Sequence, residues 1–587
     1  MIARTKKSKL CYTIKYGSDD MKIVKRDGRI VDYDSNKIRI AIGKANNEVS
    51  EEKRINSKDI DKIISYIEKL NKKRMLVEDI QDIIEQKLME FKKYELAKKY
   101  IIYRYTRSII RKANTTDANI LSLLKNGNYK EEGYLIANRQ RDLMAGEASK
   151  DLAYRLLLPK NVVTNELNGF IKFCNVEYFT EPIIDNCYIN IKEMLEKGTF
   201  INGIKIDKPK NFQSLCNVII EIISSIASLQ TGDIYINISD LFDYYDTTFN
   251  KKLSVYDSIL REHIDKNSVE AIAKNQTFTE IRSGIQTIFY QINTIMTSNG
   301  LVPKVHFIID TNEIKNDAQE FIVYEIIKQK LEGIIDENNE TVVPTYPKII
   351  YSLNKENSDN NKYSFITDEL VNLKNGFLIM NEKVFKKYTN NIKKFNQGSI
   401  CISLPKIAIE SKNTNTDFWQ LLDEKLDCCY EGLICKNHNL CGVFAGKSPI
   451  HWSYGAISKL NKEEKIDELL KKDHSKLTLS LIGMDALDKI TNSSISIELL
   501  LEKISKKLEL WNSQNNFEII LNNFYSIEIQ DYFFKKELDL FKKEKIENLV
   551  DKNVDLVNNF YSGFYYIYLD DITNLDSVKE KEVIFYK

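Results

Sequence analysis

The residues best suited to chemistry fall into three sets. Near the N-terminus, Lys25 and Arg26 stand beside Asp27 and Gly28, where a tight turn lets two cations approach the oxygens of a triphosphate. Lys37, early in the next helix, adds a third cation, so that one triphosphate would be roughly balanced. The second set is sulfur. Nine cysteines are present, and Cys428, Cys429, Cys435, His438 and Cys441 form the densest thiol and imidazole cluster, yet a zinc site needs three or four such groups converging on one point. Their spacing is irregular and no CxxC pair occurs. Cys428 and Cys435 share a face of the helical run from Phe418 and are expected to pack in a core. The third set is five scattered histidines, which offer no triad; His451 beside Trp452 reads as a packed ring rather than a general base.

The segment from Met21, MKIVKRDGRIVDYDSNKI, reads as two short strands joined at Asp27-Gly28, followed by a helix that starts near Ser35 with its hydroxyl as N-cap. Helical spacing then recurs through Ile60–Leu70, Val77–Phe91 and Tyr94–Ile110, giving a self-sufficient module. Asn114 to Gly133, rich in Asn, Gly and Asp, reads as a linker. Beyond it, helical stretches alternate with β-branched runs at Lys304–Ile309, Lys348–Leu353 and Ser399–Leu404, which implies an α/β domain with parallel strands. Helical spacing dominates Lys465–Leu540, where the charge run Lys535–Lys545 is a solvated face, and Phe564–Leu569 reads as a buried aromatic strand.

Composition bounds these readings. The chain has 587 residues, too many for one ordinary core, with 43% hydrophobic and 29% charged residues, values of a folding globular protein. A net charge of +1 leaves no global basic field for nucleic acid or an anionic membrane, so any phosphate site must be local. No apolar run approaches the roughly 20 residues that span a bilayer, and residues 1–20 lack the apolar core of a secretory signal. A cytoplasmic protein is expected, with no membrane and no direct nucleic-acid partner.

The stretch IVKRDGRIVDYDSNKIRIAIGKA, together with YIIYRYTR at Tyr100–Arg107, resembles the ATP-cone, the regulatory nucleotide-binding module of ribonucleotide reductases. The resemblance implies that Val24, Lys25, Arg26, Asp27, Gly28, Asp34, Lys37 and Arg104 hold ATP or dATP as an allosteric ligand.

Five further segments, in one order along the chain, resemble the large subunit of the anaerobic, class III ribonucleoside triphosphate reductase. They are QRDLMAGEASKDLAYRLLLP (140–159), NCYINIKEMLEKGTFINGIKIDKP (186–209), GIQTIFYQINTIMTSNG (284–300), PTYPKIIYSL (344–353) and KFNQGSICISLPKIAI (394–409). A sixth, SPIHWSYGAISKL (448–460), is looser. The resemblance implies a ten-stranded α/β barrel of the glycyl-radical type, built from two antiparallel halves and preceded by the small, mainly helical cone. It also implies a radical chain: a C-terminal glycyl radical, a finger-loop cysteine at the barrel centre, and a second cysteine that supplies reducing hydrogen. Cys187 matches the position of that reducing cysteine.

Other family features are not matched. Where the resemblance places the finger loop, only Thr389–Lys394 joins flanking segments like the family's, and these six residues hold no cysteine and too little backbone to enter a barrel and return. No cysteine follows Cys441 and no glycine follows Gly563, so neither the zinc ribbon nor the glycyl radical is expected. Ile171-Lys172-Phe173-Cys174-Asn175 stands in place of a His-rich segment, and 228–236 lacks the paired glycines. Cys401, on a strand lining the barrel, would stay an ordinary thiol without a radical donor.

The expected division is an N-terminal extension over 1–20, a cone over 21–113, a linker over 114–135 and a degenerate reductase barrel over 136–587. The expected function is nucleotide binding with a regulatory or assembly role, without reduction of ribonucleotides by this chain alone. Nucleoside triphosphates, a second copy of the chain or an authentic reductase subunit are the expected partners. The alternatives are a working reductase whose glycyl radical comes from a separate polypeptide, and a scaffold whose barrel serves only assembly.

Overall fold

The computed structural model describes residues 21–24, 30–70, 72, 74–105, 120, 137–353, 377–492, 494–521, 529, 532, 533 and 536. It divides into two units, Met1–Leu121 and Ser122–Lys587. The expected linker, the strand at 564–569 and the charge run at 535–545 lie outside the described residues, except for Ile120 and Lys536.

In the first unit, strand Lys22–Val24 pairs antiparallel with Ile30–Asp32, as the hairpin reading requires, and parallel with Arg74–Leu76. This third strand is only three residues long, too short for alternation to announce it. Helices Ser35–Asn46, Ser57–Lys69 and Val77–Glu90 pack around it, and residues 94–105 are helical. Ile60, Ile63, Ile64 and Ile67 recur at the spacing that turns one helix stripe inward, and all four are buried. The first helix is capped by Asp34, not Ser35: Asp34 keeps an extended backbone and its carboxylate accepts the Asn36 N–H, while Ser35 is already helical.

The second unit is mixed α/β. Its larger sheet has the order Phe377–Asn381, Lys348–Leu353, Val305–Ile309, Ile234–Asn237, Cys187–Ile189, with every pair parallel. The smaller has the order Ile519–Leu521, Ser475–Ile482, Phe395–Ser403, Ile171–Phe173, the last strand antiparallel to its neighbour. Asn186 bridges antiparallel to Asn396, so the two sheets meet edge to edge and run in opposite senses at the seam. Two antiparallel ribbons, Thr199–Ile201 with Ile204–Ile206 and Ile334–Ile335 with Thr341–Val342, stand apart from these two sheets.

Parallel strands buried on both faces need apolar residues throughout, and Val305–Ile309 is buried at every position. Helices Phe212–Ala227, Lys266–Thr294 and Asp317–Glu332 contribute to the apolar layer on one face of the larger sheet, meeting Ile189, Ile236, Phe307 and Tyr351. Helix Phe418–Leu440 contributes to the same layer for the smaller sheet, meeting Phe173, Ile400 and Leu479. The reading of 465–540 as helical requires correction. Ser475–Ile482 is a central, fully buried strand whose Leu477, Leu479 and Leu481 alternate with Lys476, Thr478 and Ser480. Helices Met484–Thr491 and Ile497–Gln514 follow it.

Candidate functional site

In the first unit, Lys25, Arg26, Asp27 and Gly28 lie outside the described residues. Val24 ends its strand between Ile30 and Leu76. Asp34 caps the following helix, and the Lys37 ammonium stands 3.9 Å from its carboxylate at the exposed helix start. Arg104 is engaged elsewhere: its guanidinium reaches Asp82 at 2.6 Å and Glu85 at 2.9 Å and also bonds Glu78, three carboxylates along helix Val77–Glu90. Burial opposes its charge, but hydrogen bonds to these carboxylates hold its pKa above the ordinary arginine value. Sequence reasoning missed Tyr33, between the hairpin and the first helix. Its hydroxyl is buried without a hydrogen-bond partner, and burial, reinforced by the charge of Glu68, pushes its pKa up to about 12.

In the second unit, register identifies the face of the larger sheet opposite the helical layer. Tyr188, Tyr235, His306 and Lys348 stand side by side in one row, and Asn237, Ile308, Ile350 and Leu378 form the next. At the first row the His306 Nε2 lies 3.2 Å from the Asp233 carboxylate, and the Tyr235 and His306 rings are 4.8 Å apart. Burial acts to raise the Asp233 pKa, but His306, Lys304 and Lys348 hold it at about 2. This row can hold or pass a proton; it contains no sulfur.

Helix Glu382–Lys393 lies on this same face. It follows directly from strand Phe377–Asn381, and at Lys394 the chain passes into strand Phe395–Ser403. Its Val384, Phe385, Tyr388 and Ile392 pack on Tyr235, Ile308, Ile350, Leu378 and Met380. Two lysines secure its exit: the buried Lys476 donates to the Asn391 carbonyl, and Lys394 pairs with Glu518 at 2.6 Å. The sequence reading took Thr389–Lys394 as a short connection and foresaw neither this helix nor the face of the sheet it covers.

Cys187 is buried on the opposite face, in the apolar cluster with Ile189, Ile234 and Ile236 beside the helical layer. Burial alone raises its thiol pKa. Tyr188 takes the inner face of this strand, meaning the face opposite the helical layer. Cys401 is buried on strand Phe395–Ser403 with its Sγ 3.6 Å from that of Cys174. Among the described residues no three metal-ligating side chains converge. Cys428 faces the Asn165 amide at 3.4 Å, and Cys435 donates to the Leu157 carbonyl at 3.3 Å. His451 is a packed ring, as its neighbour Trp452 suggested: its nitrogens meet Ser448 Oγ at 2.6 Å and Gln230 Oε1 at 3.1 Å, and burial lowers its pKa to about 3.

The seam between the sheets is polar, which the sequence reading did not foresee. The buried Asp185 carboxylate accepts from Asn175 at 3.0 Å, Ser399 at 2.7 Å and Asn396 at 3.3 Å, and the Asn396 side chain in turn accepts from Thr478 at 3.1 Å. The carboxylate accepts a fourth bond, from the Thr231 hydroxyl at 3.3 Å. Here it fixes strand Phe395–Ser403 against the start of strand Cys187–Ile189.

Residues 132–521 match the family model described as anaerobic ribonucleoside-triphosphate reductase, and residues 21–109 match the model described as ATP cone domain. The anaerobic ribonucleoside-triphosphate reductase of Escherichia coli is 26% identical over 502 residues, covering 79% of this chain and 69% of that protein. Its counterpart from Haemophilus influenzae is 25% identical over 601 residues, covering 94% and 82%. Among solved structures, the anaerobic ribonucleotide reductase from Thermotoga maritima in complex with dATP and CTP shares the fold with a TM-score of 0.51 at 12% identity, covering 74% of this chain and 79% of that one.

Proposed function

The chain belongs to the anaerobic ribonucleoside-triphosphate reductase family and carries an N-terminal ATP-cone, and from that premise we propose that it binds ATP or dATP through the cone, does not reduce ribonucleotides by itself, and acts as a nucleotide-responsive regulator or assembly partner. The division proposed is a cone over 21–113, a linker over 114–135 and a reductase-type domain over 136–587.

Helix Glu382–Lys393 is the observation that supports the loss of reduction. Hydrogen-atom transfer needs near contact between donor, thiol and ribose. The resemblance puts a cysteine-bearing finger loop where Thr389–Lys394 stands, and here these residues are the end of a helix without cysteine and the step into strand Phe395–Ser403. Its apolar side chains cover the face on which a sugar would have to sit. Cys187, the proposed vestige of the reducing cysteine, faces the helical layer instead. Neither zinc nor a glycyl radical has a part in this reading.

Cone binding is supported by the matched module and by the cationic hairpin sequence at Lys25 and Arg26. Arg104 would reach a triphosphate only by leaving its carboxylates, so Asp34 and Lys37 are the better-placed described members of the set.

The deciding experiment incubates the full chain anaerobically with a radical-activating enzyme, formate or a thiol, and each ribonucleoside triphosphate. No deoxynucleotide is expected. Product formed without any added polypeptide overturns the proposal, and product formed only when a separate glycyl-radical polypeptide is added establishes the split-reductase reading instead.

A further inference from the structure

One face of the smaller sheet brings two thiols together. Cys174 follows strand Ile171–Phe173, Cys401 lies within Phe395–Ser403, and they are 4% and 0% exposed with their sulfurs 3.6 Å apart. The strands pair antiparallel with Cys401 opposite Lys172, and the Cys174 N–H donates to the Ser399 carbonyl, which makes the two thiols diagonal neighbours on one face. Neither has a part in the function proposed above.

We propose that Cys174 and Cys401 form a redox-active dithiol, which hydrogen peroxide converts to a disulfide joining the two strands. One sulfur attacks the peroxide O–O bond, giving a sulfenic acid and one water. The second sulfur then displaces the hydroxyl, so that the S–S bond forms, a second water leaves, and the two sulfurs together have passed two electrons to the peroxide. Both thiol protons end in the waters released.

Closure asks the sulfurs to approach from 3.6 Å to the roughly 2.05 Å of a disulfide. Cys174 can supply that movement, because it sits at a strand end next to Asn175, whose φ is 54°. The hydrogen bond with Cys401, together with burial, raises the Cys174 pKa, so oxidation is slow. The same burial excludes glutathione or another protein, which is why the oxidant proposed is a molecule as small as peroxide. The partners are 227 residues apart in sequence, so the link restrains much of the second unit.

The test uses the full chain. Accessible thiols are first blocked with N-ethylmaleimide under native conditions, peroxide is added, and the remaining thiols are labelled after denaturation and mapped by mass spectrometry. Cys187 and Cys216, also buried, serve as internal controls. Labelling of Cys174 and Cys401 is expected to fall at least about tenfold relative to the controls, and to return with dithiothreitol in denaturant. A cross-linked peptide lighter by two hydrogens should be recovered, and should vanish in Cys401→Ala. Labelling equal to the controls, sulfinic acid without a cross-link, or pairing with another cysteine overturns the proposal. The wild-type comparison decides even if the variant does not fold.

Discussion

Lys330 is fully buried near the end of helix Asp317–Glu332, with its ammonium donating to the carbonyls of Pro344 and Thr345 and, among the described residues, no carboxylate paired with it. Burial, followed by the charge of Lys348, depresses its pKa to about 7. An unfolded lysine titrates near 10.4, so between pH 7 and roughly 10 the unfolded chain binds the extra proton and stability rises with pH; below pH 7 both states are charged and this dependence ends. Lys436 and Lys476, each depressed to about 8 by burial, act in the same direction. Urea unfolding from pH 7 to 9 should therefore show increasing stability, and Lys330→Met, which keeps the volume and removes the charge, should flatten the rise. An identical slope in wild type and variant would remove this account of Lys330. In the first unit, Arg104→Ala leaves Glu78, Asp82 and Glu85 without their shared cation. A loss of about 1 to 2 kcal/mol is expected, smaller at high salt because the cluster is partly exposed.

At the scale of elements, helix Glu382–Lys393 depends on the inner face of the larger sheet, and its Ile392 is buried there with Phe385. Ile392→Ala should cost about 2 to 4 kcal/mol in the second unit, read by urea unfolding followed by tryptophan fluorescence. If the wild type forms no deoxynucleotide, product from a variant that displaces this helix would assign the block to the covered face and not to a missing sulfur. Much of this layer could be read from the chain. The β-branched runs at 304–309 and 348–353 became strands, and the helical periods of the first unit became helices as far as the described residues reach, because the spacing within each segment already fixes which side chains are buried. Strand Ser475–Ile482 escaped because its second face is buried but polar, with Thr478 bonded to Asn396 of the neighbouring strand. The Asp185 cluster escaped for a related reason. Its bonds to Asn396 and Ser399 join residues 211 and 214 positions apart, and nothing in either local segment marks the other as its partner. The position of Arg104 was legible as a cation on the closing helix; its three carboxylates, one helix earlier, were not.

At the scale of the molecule, the question is how a nucleotide on one unit could matter to the other. A ligand shifts an equilibrium only by as much as it prefers one state, so ATP or dATP must bind two arrangements of the chain with different affinity if the cone is to regulate anything. The near-neutral net charge of +1 leaves little long-range repulsion against self-association, so a change in assembly is a small enough step for a nucleotide to drive. Light scattering of the full chain should accordingly show a change of mass on adding ATP or dATP. Lys25→Ala with Arg26→Ala should abolish the change and weaken binding by more than about tenfold in calorimetry, since each charge-assisted contact contributes about 1.5 to 3 kcal/mol. Binding with unchanged mass would leave the cone as a sensor whose output needs a second protein. Absence of binding would discard the regulatory reading altogether, because that reading rests on the cone as its sensor.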